Sequence, residues 1–342
     1  MAFSGDPREA VWEKERARQE RGEPLPNWQN PPRRHHYVPQ MYLRRFAGRV
    51  GSNKKPKIRC IEPKADPPRM MLLSVENAAV ETDLYMVETH DARSQHIAEH
   101  LFGVFESAAG YAFANLDKDG NHFPDEIDRR NLSLFFALQL VRGHDMGDFQ
   151  TRLYTEVAKG LMRFSAERPE YVRRHLSEQG DDDSDEAVAQ MVDDLREGTD
   201  DIKVVPHKNE TVAAIMTAPP DLMPYFFRRR WFIMRSGVPL LTTDRPIVLM
   251  GEPKSGHLFG DDAGVMNARS IIYVLDRHRV LVMKRPDLAT EEGLGTLSPE
   301  AASTINRTVA SAARRWIFHH PDDEPLKRAT YVSVPGSPPH QG

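Results

Sequence analysis

Two kinds of hydrophobic pattern alternate along the chain. Between residues 92 and 116, and again between 124 and 145, apolar side chains recur every three or four positions, as in a helix with one buried face. Short apolar runs bounded by Gly, Pro, Asp or Asn occupy 56–88, and more follow a further helix at 209–229. The pattern predicts an α+β fold, predominantly helical, with a small N-terminal β-sheet region and a second, C-terminal antiparallel strand region. We expect the first two helices to pack as an antiparallel pair.

The two ends of the chain differ from its middle. Residues 1–33 have almost no apolar face and include the Pro-rich run "RGEPLPNWQNPPRR", which predicts a flexible or loosely helical extension. A second Pro-rich stretch closes the chain and predicts a disordered tail over 335–342. We therefore expect a single α+β domain over 34–334.

The composition indicates which class of protein this is, but it does not identify a binding partner. With 46 Lys and Arg against 50 Asp and Glu, the net charge of −4 provides no global attraction to nucleic acid or membrane, although the local run "FFRRRW" could bind phosphate. The single cysteine, Cys60, excludes a disulfide framework within the chain and favours a reducing compartment, so we expect a cytoplasmic location. No stretch approaches about 18 uninterrupted apolar residues, and no membrane span is predicted.

The stretch "RRHHYVPQMYLRRFA" places two adjacent histidines before a short amphipathic helix that begins at Pro39. Neighbouring side chains of an extended segment point to opposite sides, so at most one of His35 and His36 can face a given site. A packing or capping histidine is the more common outcome. A hydrolytic base or a metal ligand is the alternative.

Three other polar positions stand out against apolar surroundings. Arg142 ends an apolar helix and must find a carboxylate or an anionic ligand, and Glu106 is its natural partner if the two long helices are antiparallel. Thr243 and Asp244 lie between two apolar strand segments, followed by Pro246. An Asp in this context usually forms a turn, but a rigid strand end is also suited to a metal or phosphate site.

The segment "HIAEH" fits the H-x-x-E-H pattern of one class of zinc peptidases. On a helix, His96 and His100 would lie one above the other and could bind one zinc ion, with Glu99 as the base. Three fixed residues arise easily by chance in a chain with 14 histidines. A solvated polar flank of the helix is therefore the favoured interpretation.

Four motifs together resemble a known family: "HHYVPQMYLRRFA", "ETDLYMVE", "LQLVRG" and "PLLTTDRPIVLM". They resemble the bacterial domain-of-unknown-function family numbered 4238 over about residues 34–318. The motif positions are His36, Pro39, Leu43, Phe46, Glu81, Leu84, Tyr85, Glu106, Arg142, Asp244, Pro246 and Asn306. The chain departs from the family by carrying Thr243 where Ser is usual and an additional His35. The resemblance implies no activity.

The resemblance does imply which polar residues to consider as a site. If His36, Glu106, Arg142, Asp244 and Asn306 converge in one pocket, a hydrolytic or phosphate-handling site is the expectation. We expect a hydrolase of a phosphodiester or nucleotide, such as a nuclease-like effector of stress or phage defence.

In this hypothesis His36 is the general base or a metal ligand, Asp244 a base or ligand, and Arg142 the phosphate clamp that Glu106 orients. The cofactor is left open, with a divalent metal ion held by His35, His36 and Asp244 as one candidate. A nucleic acid or a nucleotide would be the partner. The alternatives are a non-catalytic binding module with a structural polar network and, third, the zinc peptidase.

Overall fold

A computed structural model describes residues 16–17, 20–21, 33–50, 55–90, 97–118, 123–252 and 263–326. The predicted tail at 335–342 and most of the extension at 1–33 lie outside these residues. The chain divides into two compact units, one of residues 1–143 with 215–342 and one of residues 144–214. The single α+β domain over 34–334 stays a prediction from the sequence.

Helices make up the larger part of the regular structure, as predicted. Within the described residues they are α1 (Gln40–Leu43), α2 (Ile97–Asp117), α3 (Glu126–Val141), α4 (Asp145–Ala166), α5 (Pro169–Gln179), α6 (Asp185–Gly198), α7 (Lys208–Phe227) and α8 (Pro299–Ser311). None of the described helices is long and apolar enough to span a bilayer. The helix α8 begins with a typical N-terminal cap, because the Ser298 hydroxyl accepts a hydrogen bond from the Ala301 N–H and Pro299 is the first helical residue.

The helices α2 and α3 form the predicted antiparallel pair. The Asn115 amide near the end of α2 donates to the Asp128 carboxylate near the start of α3. At the other end, Arg142 just after α3 pairs with Glu106 on α2. Rings such as Phe113 and Phe135 meet edge to face between the two helices, so apolar packing fixes their separation.

The described strands are β1 (Arg34–His36), β2 (Lys57–Glu62), β3 (Arg69–Ser74), β4 (Val80–Thr82), β5 (Arg230–Arg235), β6 (Thr242–Thr243), β7 (Val248–Met250), β8 (Ser270–Asp276), β9 (Arg279–Lys284), β10 (Gly293–Thr296) and β11 (Ile317–His319). The strands β1 and β4 form a two-stranded antiparallel ribbon with His35 opposite Glu81. Ala79 and Asp83, which flank β4, both adopt positive φ, which is uncommon for residues other than glycine. These two residues bend the chain into and out of the ribbon.

The C-terminal strand region forms a five-stranded sheet in the order β10-β5-β9-β8-β7. Its pairs are antiparallel except for β10 with β5, which run parallel. Strand β8 carries the run "SIIYVLD", of which the middle five residues are buried. An uninterrupted apolar run of this kind is typical of a strand covered on both faces.

The second sheet combines both ends of the chain, which the sequence pattern did not predict. Its order is β3-β2-β11-β6, so the hairpin of β2 and β3 continues into β11, and β11 pairs with β6. The predicted N-terminal β region therefore consists of this hairpin, which shares its sheet with β11 and β6, and of the separate ribbon of β1 and β4. Both sheets, the ribbon and the helices α2 and α3 belong to the larger unit.

The unit of residues 144–214 contains α4, α5, α6 and the start of α7. Its small core consists of side chains from α4, α5 and α6, namely Ala166, Val172, Leu176, Val188 and Val192. Ser184 caps α6 by accepting from the Ala187 N–H, and Gly180 ends α5 in the left-handed conformation. The acidic segment "GDDDSDE" at 180–186 therefore includes Ser184, which caps α6, and the first residues of this helix.

Candidate functional site

The ribbon places the two adjacent histidines on opposite sides, as expected for an extended segment. The His35 ring is fully buried, and its Nδ1 accepts a hydrogen bond of 2.9 Å from the Tyr85 N–H. The two rings also stack, with centroids 5.6 Å apart. His35 thus holds the segment after β4 against β1, and its Nδ1 is already used for that contact.

His36 faces the other way and is half-buried. Its Nδ1 lies 3.5 Å from the Gln40 amide nitrogen, while Nε2 is buried and has no hydrogen-bond partner among the described residues. Burial lowers the pKa of His36 below its usual value, and the positive charge of Arg142 lowers it further. A hydrogen bond of the His36 ring with the Glu76 backbone and the negative charge of Glu106 act in the opposite direction and raise the pKa. The imidazole is therefore neutral at pH 7 and able to accept a proton.

Arg142 forms the floor of the site, with only 2% of its surface exposed. Its Nη1 donates to Glu106 Oε1, and its Nη2 lies 3.9 Å from Glu99 Oε1. The guanidinium lies 4.7 Å from the centroid of the Phe102 ring, and the Arg142 carbonyl accepts a 2.6 Å hydrogen bond from the Tyr85 hydroxyl. Burial alone would lower the pKa of Arg142, but Glu106 and the other neighbours outweigh it, so the guanidinium stays charged.

Glu99 has the most unusual titration in this cluster. Burial raises its pKa to about 7; Glu106 adds to the rise and Arg142 opposes it. Its Oε1 is buried and accepts no hydrogen bond from the described residues. A carboxyl with such a pKa is about half protonated at neutral pH and can donate a proton, as a general acid must.

These four side chains, His36, Glu99, Glu106 and Arg142, are referred to below as the Arg142 cluster. Glu99 and Glu106 each keep about a quarter of their side chain exposed, whereas Arg142 is 2% exposed. The cluster is thus open to solvent on the carboxylate side and closed at the guanidinium. Perturbed pKa values beside a buried charge mark a candidate functional site.

Asp244 has a different role from the one that we expected. Its two carboxylate oxygens accept three backbone hydrogen bonds, from the N–H groups of Arg314, Arg315 and Trp316 at 2.7 to 3.0 Å. Among the described residues, no hydrogen bond or ion pair joins Asp244 to His36. The Asp244 carboxylate fixes the turn that leads into β11. The sequence favoured a turn role for Asp244, but in a local turn before Pro246; the N–H groups that its carboxylate binds lie 70 to 72 residues further along the chain.

The remaining motif residues also have structural contacts. The Thr243 hydroxyl bonds to the backbone of Arg245 in a local turn. Asn306 is fully buried; its Oδ1 accepts from the Leu241 N–H, and its Nδ2 donates to the carbonyls of Pro239 and Pro325. Glu81 lies exposed on β4. Of the five polar motif residues, the structure therefore brings three together in the Arg142 cluster and places Asp244 and Asn306 in backbone-holding positions.

The expected metal ligands do not form a ligand set. His35 Nδ1 receives the Tyr85 N–H, and both carboxylate oxygens of Asp244 accept backbone N–H groups, so neither residue joins His36. Across the described ranges, no three or more His, Cys, Asp and Glu side chains are arranged to hold a metal ion. His96 of the proposed zinc motif lies outside the described residues. Its companion His100 is half-buried on α2.

The sequence pointed to Glu99 only as part of a zinc motif, and it missed His319 entirely. His319 is 3% exposed, and its Nε2 has no hydrogen-bond partner in the described part of the chain. It lines an open cleft of about 420 Å³, together with Arg59, Asp322 and Glu324. Its only sequence signal was a histidine at the end of an apolar strand.

The family model described as "Protein of unknown function (DUF4238)" matches residues 34–323. No curated protein and no solved structure matches the chain. The matched residues include both sheets, the ribbon and the whole Arg142 cluster.

Replacing Glu106 by Gln is expected to lower the free energy of unfolding by on the order of 2 kcal/mol, because the buried guanidinium loses its charged partner. Urea denaturation at pH 7.5 measures this difference. The matched control is Glu126→Gln, where the carboxylate is 73% exposed and pairs only with Arg130, so a change within about 0.5 kcal/mol is expected. Equal effects of the two substitutions would contradict the assigned role of Glu106.

Glu99 is expected to make stability depend on pH. Its pKa in the folded state, about 7, is above the value near 4.3 of an unfolded chain. The folded state therefore holds the proton more tightly, and stability falls as pH rises from about 4.5 through 7. Glu99→Gln removes this loss, so its stability relative to the wild type should increase between pH 5 and pH 8. A difference that is constant over this range in urea denaturation would disprove the assignment.

Replacing Asp244 by Ala is expected to lower the free energy of unfolding by about 3 kcal/mol, because three backbone N–H groups lose their acceptor. Asp244→Asn keeps one acceptor oxygen and should have a smaller effect. Asp221→Ala, at an exposed position of α7, is the control and should change stability little. Thermal unfolding distinguishes these three variants, and an unchanged Asp244→Ala protein would refute the structural role.

Proposed function

Because the chain belongs to the DUF4238 family, whose description carries no activity, we propose its function from the site alone: hydrolysis of a phosphodiester or a nucleotide by acid–base catalysis at the Arg142 cluster. More specifically, we propose a nuclease-like effector of stress or phage defence. The reacting groups are His36, Glu99 and Arg142, with Glu106 as a positioning residue. Asp244 is not part of this set.

The observation that carries the proposal is a set of three buried polar atoms without a hydrogen-bond partner. Several buried polar atoms lack a hydrogen-bond partner within the described residues, and three of them belong to the Arg142 cluster: His36 Nε2, Glu99 Oε1 and Arg142 Nε. A buried polar atom without a partner costs about 1 to 3 kcal/mol, so each such atom in a native protein requires an explanation. One explanation accounts for all three, namely that a molecule from outside the chain binds them.

The chemical character of the three atoms suits hydrolysis of a phosphate ester. Arg142 Nε is a cationic donor, Glu99 is a carboxyl with a pKa of about 7, and His36 is a neutral imidazole. The environment thus raises the pKa of the acid and lowers the pKa of the base. Such opposed shifts are the usual sign of an acid and base pair at an active site.

The reaction follows from these protonation states. Water attacks phosphorus while its proton passes to His36 Nε2, and the bond from phosphorus to the leaving oxygen breaks. The leaving oxygen takes the proton of Glu99. Arg142 stabilises the negative charge that accumulates on the phosphoryl oxygens, and Glu106 fixes the direction of the guanidinium. Exchange of protons with solvent restores His36 and Glu99.

A binding module without catalysis is the second candidate. It is favoured by the contacts of Arg142 with Phe102 and Tyr85, which show that the same residue also supports the packing of α2 against the ribbon. In that case the unpartnered atoms would bind an anion without turnover. Measurement of activity separates the two candidates.

The test is hydrolysis by the purified full-length chain, with bis(p-nitrophenyl) phosphate, single-stranded DNA, RNA and nucleoside triphosphates as substrates, each with and without EDTA. Glu99→Gln is expected to lower kcat by a factor of at least about 100, the usual contribution of a general acid. The rate should fall above about pH 7, where Glu99 loses its proton.

The control is Glu126→Gln, which should keep the wild-type rate. Circular dichroism and thermal unfolding must show that Glu99→Gln remains folded. The absence of turnover with every substrate, or a Glu99→Gln protein as active as the wild type, would overturn the hydrolase. Binding of the non-hydrolysed substrates with no turnover would support the binding module.

A further inference from the structure

The helix α4 carries a row of large apolar side chains on its exposed side. Their positions are four, four, four and three residues apart, which places them along one face of a helix. They are Phe149, Leu153, Val157, Leu161 and Phe164, with exposures of 52, 46, 53, 63 and 43%. We call these five residues the α4 ridge. A helix of 22 residues is about 33 Å long, so the ridge forms an extended apolar surface.

The ridge does not take part in the core of its own unit. That core contains Ala166 at the end of α4 together with apolar residues of α5 and α6, and none of the ridge residues belongs to it. Gln150 and Ala166 are the buried residues of α4. Ala166 lies on the side of the helix opposite the ridge, whereas Gln150 follows Phe149 directly and lies at the edge of the ridge. Continuous exposed apolar surface of this kind marks an interaction site.

The charged residues of α4 are acidic at its start and basic at its end. Asp145 and Asp148 lie near its start, Arg152 and Glu156 near its middle, and Lys159 and Arg163 near its end. Arg152, Glu156 and Arg163 are exposed beside the ridge. Three acidic and three basic residues cancel, so α4 has no net charge to attract an anionic membrane or nucleic acid.

Two copies of α4 that run antiparallel therefore place opposite charges beside each other. In an antiparallel pair of α4 helices, the acidic start of one lies beside the basic end of the other. With a two-fold axis near Thr155, Arg152 of one copy lies within about 3 Å, measured along the helix, of the position opposite Glu156 of the other. A parallel pair would instead place like charges together, which is unfavourable.

From these observations we propose that the α4 ridge is the interface of a homodimer, in which two copies of this chain pack their α4 helices antiparallel. Phe149 of one copy then lies opposite Leu161 of the other, and Leu153 lies opposite Val157. Such an interface is the same patch on both subunits, as two-fold symmetry requires. Burial of the α4 ridge stabilises the dimer, and the flanking charges favour the antiparallel orientation of the two α4 helices.

The first test disrupts the centre of the ridge. Size-exclusion chromatography with light scattering, at about 50 μM, is expected to give a dimer for the wild type and a monomer for the double variant Leu153→Glu with Val157→Glu. Because both residues are exposed in the single chain, the monomer should keep its helical circular dichroism. The control Ala189→Glu, at an exposed position of α6, should remain a dimer.

A monomeric wild type, or a dimer that persists in the double variant, would overturn the proposal. The second outcome would mean that another surface holds the dimer. Activity in the hydrolase assay plays no part in this test, so the dimer and the proposed function succeed or fail separately.

The second test determines the direction of the helices by disulfide trapping with copper phenanthroline as the oxidant. Cys60 is buried and does not compete. An antiparallel pair predicts that a mixture of Phe149→Cys and Leu161→Cys proteins forms a mixed disulfide dimer, while Phe149→Cys alone does not. Two Phe149 positions would be about 18 Å apart along an antiparallel pair, too far for a disulfide. Efficient crosslinking of Phe149→Cys with itself would show a parallel pair and refute the geometry.

Discussion

The burial of one guanidinium organises the larger unit. Arg142 is almost inaccessible to water at the end of α3, and a charge removed from water costs several kcal/mol unless it is paired and hydrogen-bonded. Glu106 and Glu99, two turns apart on α2, supply the opposite charge. The Tyr85 hydroxyl binds the backbone carbonyl of the same arginine, and the Tyr85 N–H binds His35. The contacts of Arg142 and Tyr85 thus connect α2, α3 and the ribbon of β1 and β4.

The same burial produces the pKa shifts on which the proposed hydrolysis depends. Loss of water around the cluster raises the pKa of Glu99 and lowers that of His36, because burial disfavours the charged form of both an acid and a base. A structural ion pair and a reactive site therefore do not exclude each other here. Glu106 accepts a hydrogen bond from Nη1 of the guanidinium, and the partially exposed Glu99 has a pKa of about 7. Asp244, by contrast, uses both carboxylate oxygens to accept backbone N–H groups.

Amphipathic helices serve two purposes in this chain. On α2 and α3 the apolar face is buried between the helices, and on α4 a row of apolar side chains faces outward while other residues contribute to the core. The periodicity of apolar residues is the same in both cases. It shows that a helix has an apolar face, but the contacts of the folded chain decide whether that face is inside the subunit or available to another copy.

Local patterns in the sequence determined the helices α2, α3 and α8 and the apolar strands, because spacing and caps act over a few residues. The pair of Arg142 with Glu106 followed from the sequence only together with the antiparallel packing of α2 and α3. Alternation in an extended segment also determined that His35 and His36 diverge. Only the tertiary structure decided that β11 lies between β2 and β6, that Asp244 holds a distant turn, and that Glu99 titrates near pH 7. These features depend on contacts between residues far apart in the chain and on the water that those contacts exclude, neither of which is encoded in local spacing.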